Sequence, residues 1–207
     1  MIRKIFLPIF FTALFSGIAI GDVFNGTTHL HDRNYQVITI NGPANLEKVK
    51  ASSLIVNGPL QFSDISVESS AEIHGPVVNS KNGVFKDLKI IGPINGEKII
   101  CESLVVMGPV IISDLEVKEK MQVIGMMNVK CANIKDLEVT SDKINLTDSK
   151  IRNIIVNKNN DKVQKLILDR IIVSGDISFE SGKGMIELSK DSKIAGKITG
   201  AIITNKK

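Results

Sequence analysis

The sequence predicts an all-β chain: a single-stranded β-solenoid (parallel β-helix) with coils of about 16–17 residues, arranged as three 50-residue blocks. Three observations carry that prediction. Gly42, Gly58, Gly75, Gly92, Gly108 and Gly125 recur at an almost constant interval, and all but the last are followed by proline. The stretch LIVNGPLQFSDISV, Leu54 to Val67, returns as LVVMGPVIISDLEV, Leu104 to Val117. Residues 38–78 laid over 88–128 agree at 15 of 41 positions.

A period near 17 is shorter than a helix-pair repeat or a propeller blade, and it suits one solenoid coil of short strands separated by turns. Within a coil the pattern is Leu-x-Val-x-Gly, a second apolar stretch, then Asp-(Ile/Leu)-x-Val. This alternation marks strands with one buried face, and Val and Ile favour such positions. The expected interior is Leu54, Val56, Leu104, Val106, Ile154, Val156 and their equivalents. Glycine reaches positive φ at little steric cost and proline removes a ladder donor, so the Gly-Pro steps are expected to stack as one corner.

Taken in order, residues 1–21 read as a secretory signal peptide. Arg3 and Lys4 form a basic start, Ile5 to Ile20 an apolar core, and Ala19-Ile20-Gly21 a small-residue cleavage site. The exported chain is expected to begin near Asp22. Residues 22–35 lack the repeat and read as a polar lead-in with a turn at Asn25-Gly26. The solenoid is expected over residues 36–204, about ten coils forming a rod of about 50 Å at ~4.8 Å per coil. Its blocks run 38–87, 88–137 and 138–187, with a partial fourth from Leu188 and a tail at 205–207. The third block is worn but in phase: Ile154-Ile155-Val156-Asn157 overlays Leu54-Ile55-Val56-Asn57, and Gly175 falls on the phase of Gly75 and Gly125.

Charge and composition narrow the function. The formal net charge is +4, and removing Arg3 and Lys4 leaves 24 basic against 22 acidic side chains. With one tyrosine and no tryptophan, nothing interleaves basic and aromatic groups as a nucleic-acid surface requires, and that role is excluded. Residues 183–207 hold six lysines (Lys183, Lys190, Lys193, Lys197, Lys206 and Lys207) against Glu187 and Asp191. Such an end guards a solenoid edge against pairing or meets an anionic surface.

Candidate chemistry rests on the histidines, cysteines and aspartates. His29 and His31 face one side of a strand, but His74, in a repeat turn, is the remaining histidine, so no metal is expected. The interval from Cys101 to Cys131 is not a whole number of coils. They are expected to be free, buried thiols, with Cys101 in the small position that Ala51 occupies one block earlier. Asp64, Asp114, Asp87 and Asp136 each precede an Ile or Leu. Stacked carboxylates could bind calcium or work in pairs on a glycan. Their recurrence at turns instead indicates aspartates capping their own backbone. No catalytic, cofactor-binding or metal-ligating residue is assigned, and no cofactor is expected. The sequons at Asn25-Gly26-Thr27 and Asn145-Leu146-Thr147 matter only in a eukaryotic secretory route, which the bacterial look of leader and repeats argues against.

The C-terminal stretch Asp176 to Ile203, and above all Ile194-Ala-Gly196-Lys-Ile198-Thr-Gly200-Ala-Ile202, resembles bactofilins. That resemblance implies a polymer-forming β-solenoid. The expectation is an exported, non-enzymatic structural or binding protein of the bacterial cell envelope, whose partner is glycan, lipid or protein. The alternatives are a bactofilin-like polymer-former associating through its C-terminal coil at Ile194, Ile198 and Ile202, and a polysaccharide-active β-helix enzyme.

Overall fold

The computed structural model describes residues 21–160 and 162–205. Apart from Gly21, the leader reading of residues 1–21 falls outside them, as do Lys206 and Lys207. Each of seven strands is one whole coil: β2 Thr28–Asn41, β3 Ala44–Asn57, β4 Leu60–His74, β5 Val77–Ile91, β6 Ile94–Met107, β7 Val110–Ile124 and β8 Met127–Thr140. Each pairs in parallel with the next, so that Leu54, Ala71, Leu88 and Leu104 stand in one column. One side of a further coil, β1 Asp22–Asn25, precedes them and pairs with Ile38–Asn41.

The later coils split into shorter strands. The eighth is β9 Lys143–Thr147 with β10 Lys150–Val156. The ninth joins β11 Gln164–Asp169, β12 Ile172–Val173 and β13 Ile177–Phe179, and the tenth joins β14 Gly184–Leu188, β15 Lys193–Ile194 and β16 Ile198–Thr199. β17 Ala201–Asn205 opens another. The register partners Lys143, Lys165 and Met185 are more widely spaced in sequence than partners in the earlier coils. These coils carry longer turns, which is why the third block reads as worn.

Each coil bends three times. The first bend is the Gly-Pro step, stacked as expected. Gly42 N–H donates to Asn57 carbonyl (3.0 Å) and Gly92 N–H to Met107 carbonyl (3.0 Å), which carries the ladder through the corner. The second bend is one residue in the left-handed region: Lys48 (φ 51°), Asp64 (57°), Asn82 (55°), Lys98 (55°), Asp114 (54°), Cys131 (55°) and Asp148 (51°). The third bend holds one residue in most coils (Ser52, Lys86, Glu102, Lys135) but two at Glu68-Ser69 and Lys118-Glu119, where the pairing shifts register. Those extra residues lengthen the shorter form of the coil by one position. β5 instead takes its extra residue at Asn79 (φ 47°).

Between the bends lie three short sides, each pointing two side chains inward. In β3 these are Ala44 and Leu46, Val49 and Ala51, and Leu54 and Val56. The predicted interior residues Leu54, Val56, Leu104, Val106, Ile154 and Val156 are all buried. Burying a Val, Leu or Ile side chain contributes about 1.5–3 kcal/mol, so every coil adds stability on its neighbours' surface. Gly83 takes a position that is Ile65 and Ile99 in the flanking coils, because Phe62 and Phe85, stacked edge to face at 5.6 Å, already fill the space.

The structure corrects two boundaries. Residues 22–35 are solenoid rather than a lead-in: β1 is the last side of a coil, and Thr28–Tyr35 pairs in register with Ala44–Ala51. The repeat is unreadable there for two reasons. Gly26 is followed by threonine instead of proline, and aromatics replace aliphatics at the end of the core, with Phe24 and Tyr35 edge to face at 6.0 Å. The tail also begins later, since Asn205 closes β17.

Candidate functional site

A shallow groove of about 960 Å³ runs along the second side across seven coils. Its floor is a row of outward side chains in direct register: Lys50, Ser66, Val84, Ile100, Glu116, Asn133 and Lys150. Its near wall is the left-handed bend: Lys48, Asp64, Asn82, Lys98, Asp114, Cys131 and Asp148. The far wall, at the third bend, includes Glu68, Lys86, Glu102 and Lys118. Val84 is 48% exposed and Ile100 36%, so the middle of the floor is apolar and its ends are charged.

The charges are only partly satisfied within the chain. Asp64 accepts a hydrogen bond from Asn82 Nδ2 (2.7 Å) and one from Ser63 Oγ (3.0 Å), which hold its carboxyl below the usual range. Asp148 is held below it by Arg170, whose Nε and Nη2 donate to the two carboxylate oxygens at 2.5 and 2.9 Å. Lys48, Lys50, Lys98, Asp114 and Glu116 form no ion pair among the described residues.

The four singled-out aspartates fall in two rows rather than one. Asp64 and Asp114 occupy the left-handed bend, a conformation that Asp and Asn tolerate better than most residues. Asp87 and Asp136 stand at the start of the third side, where they tie coils together. Ser103 Oγ donates to Asp87, and Asn153 Nδ2 (2.7 Å) and Arg152 donate to Asp136. Burial pushes Asp136 up, but Arg152 and Asn153 outweigh it and leave the carboxyl below its usual range. Asp64 and Asp114 are three coils apart, about 14 Å, beyond the separation of paired carboxylates in glycoside hydrolysis. Sequence reading missed the lysines and the cysteine of this bend, because neither residue type announces positive φ.

His29 and His31 both face outward on β2, and His31 lies between Asp32 (2.8 Å) and Glu47 (3.5 Å). His74 contacts Glu72 (3.1 Å). Among the described residues no group of three or more His, Cys, Asp or Glu side chains is placed to hold a metal ion. Another outward row changes character along the rod. Asn57 donates to Asn41 (2.8 Å) and Asn41 to Asn25 (3.0 Å), while farther along the same row holds Ile91, Met107 and Ile124, all exposed.

Both cysteines are free, Cys101 buried and Cys131 exposed at the groove wall. The expectation of two buried thiols therefore holds for Cys101 alone, because Cys131 occupies a bend and not a strand's inner face. Burial, reinforced by Asp87 and Glu116, pushes the Cys101 thiol up to about 12. A thiol reagent at pH 8 is expected to label one cysteine quickly in the native protein and the second only after unfolding. Peptide mapping that finds Cys101 labelled first would contradict this.

Comparison of the chain with protein-family models, with curated proteins and with solved structures finds no match.

Proposed function

We propose that the protein is an exported, non-catalytic structural or binding rod of the bacterial cell envelope. One observation carries this reading. The outward chemistry is laid out in rows that repeat coil by coil, and it spreads along the rod instead of converging on a point. The rows are braced by contacts between coils, such as Lys89 with Glu72 (2.7 Å), Lys120 with Glu138 (2.5 Å) and Lys165 with Glu187 (2.5 Å). Such a body is stiff, quasi-one-dimensional and suited to spacing or lining a surface.

The test is expression of the full chain in a bacterium, followed by fractionation and N-terminal sequencing of the exported material. The expected result is protein outside the cytoplasm, beginning near Asp22 and co-sedimenting with envelope. Soluble protein retained in the cytoplasm with Met1 intact would overturn the reading.

A second reading, end-to-end assembly through the C-terminal coil, is favoured by one observation. Among the described residues β17 pairs with β14 alone, and its Ile202 is 63% and Ile203 51% exposed. Assembly of that kind is expected to grow with salt, which screens Lys193 and Lys197, and to disappear in Ile198→Lys.

A further inference from the structure

We propose that the groove face on the second side is covered by a second copy of the chain. The two rods lie antiparallel about a two-fold axis that passes through the coil of Asn82 and Val84. This goes beyond the envelope reading and does not depend on it.

The pattern of charge along the two rows leads to this arrangement. One coil from Asn82 lie Asp64 and Ser66 on one side, Lys98 and Ile100 on the other. Two coils away lie Lys48 and Lys50 on one side, Asp114 and Glu116 on the other. Three coils away on the floor lie Asn34 and Asn133. A two-fold axis in the plane of the face, perpendicular to the rod, lays each row against itself in reverse. Lys48 then meets the partner's Asp114, Lys98 the partner's Asp64, Lys50 the partner's Glu116, and Asn34 the partner's Asn133. On the axis the exposed Val84 meets the partner's Val84, next to Ile100, where a closed interface places its apolar centre.

The neighbouring registers fail on the same residues. An axis one coil toward the N-terminus sets Asp64 against itself. One coil the other way sets Lys98 against itself and Lys50 against Lys150. A shift of half a coil pairs Lys48 with Lys98, or Asp64 with Asp114. Parallel rods in register place the floor charges Lys50, Glu116 and Lys150 each against its own copy and Asp64 against the partner's Glu68. Like charges face to face disfavour all of these. In the favoured register the far wall contributes Glu68, Lys86, Glu102 and Lys118 from each copy. Across that wall Lys86 faces the partner's Lys86 and Glu68 the partner's Glu102, but the set is neutral in sum and each Lys86 lies one coil from two carboxylates of each chain. Lys50, Lys98, Asp114 and Glu116, which have no ion pair within the described chain, all gain partners in the dimer.

Sheets pack face to face about 10 Å apart, and a seven-coil face is about 30 Å long. The interface is therefore at the small end of the range, with a dissociation constant on the order of micromolar that weakens as salt rises. The opposite salt dependence separates it from association through β17.

The test is sedimentation velocity of the purified protein in the Cys131→Ser background, at low salt and from 1 to about 200 μM, a range chosen to bracket that constant. Lys50 and Glu116 are outward strand residues with negative φ, so Lys50→Glu and Glu116→Lys are expected to fold normally, with unchanged thermal midpoints. Each single change should weaken the dimer at least tenfold, and the double change, which exchanges the pair, should restore it to within about threefold. A monomer throughout at low salt would overturn the proposal. So would single variants that dimerise like the parent, or a double variant as weak as the singles.

Discussion

Replacing Gly92 with alanine is expected to lower the unfolding free energy by about 3 kcal/mol or more, among the largest effects of any single substitution in the chain. The residue has φ 149°, and a Cβ there would lie 2.5 Å from the carbonyl oxygen of Gly75 and 2.7 Å from its carbon. Both atoms are backbone, so no side chain can swing away. The neighbouring coil must shift, and Gly108, whose own Cβ direction points at Gly92, must shift with it. Gly26 provides the internal control. It has φ 88° and nothing within 4 Å of its Cβ direction, so Gly26→Ala carries only the conformational cost of about 1–2 kcal/mol. Urea unfolding followed by circular dichroism measures both. Equal losses at the two positions would show that the stacked corner does not explain the glycine period.

The second large effect concerns register. A 50-residue period suggests that deleting residues 88–137 leaves a shorter intact rod. The structure places the in-phase cut one residue earlier. Leu88, Leu104, Met121 and Leu137 form one inward column, so the segment that carries the chain from one member of that column to another is 88–136. Deleting 88–136 joins Asp87 to Leu137 and keeps that column continuous, whereas deleting 88–137 brings Glu138 into it. A slip of one residue turns every following side chain on that side over, exposing leucine and valine and burying glutamate. The 88–136 deletion is expected to remain folded and resistant to protease, and the 88–137 deletion to lose most of its β signal. If both deletions behave alike, the columns are not what holds the coils in place.

These two cases show what the sequence made legible. The first bend was readable because glycine and proline are each unusual and each has a backbone reason to stand there. The inward rows were readable from alternating Val, Ile and Leu. The other two bends were not. Lys48, Lys98 and Cys131 hold a left-handed conformation that their side chains do nothing to favour, imposed by the coils above and below. The third bend absorbs extra residues at Glu68-Ser69 and Lys118-Glu119 without any marker residue, so the spacing measured on glycines does not carry over to Leu137. The groove was hidden for the same reason. Its near wall is the second bend, and its charges change from coil to coil, between residues that are far from one another in sequence. Aspartates stand out in the sequence and lysines do not, which sets Asp64 and Asp114 beside Asp87 and Asp136 although they occupy separate rows. The first coil was lost because Phe24, Gly26-Thr27 and Tyr35 replace the repeat's own signals at the end of the core.

The chain advances by one strand spacing for each coil along a single straight stack. Thr39, Ile55, Glu72, Lys89, Val105, Gln122, Glu138 and Ile155 form one outward row in direct register. Spin labels on Thr39→Cys paired with Gln122→Cys, and on Thr39→Cys paired with Ile155→Cys, can be measured by electron–electron double resonance. The background is Cys101→Ala with Cys131→Ser, diluted with unlabelled protein. The pairs are five and seven coils apart, which predicts mean distances of about 24 and about 34 Å. Distances in that ratio bear out a straight stack of coils. Equal distances, or a longer one for the Gln122 pair, would contradict it.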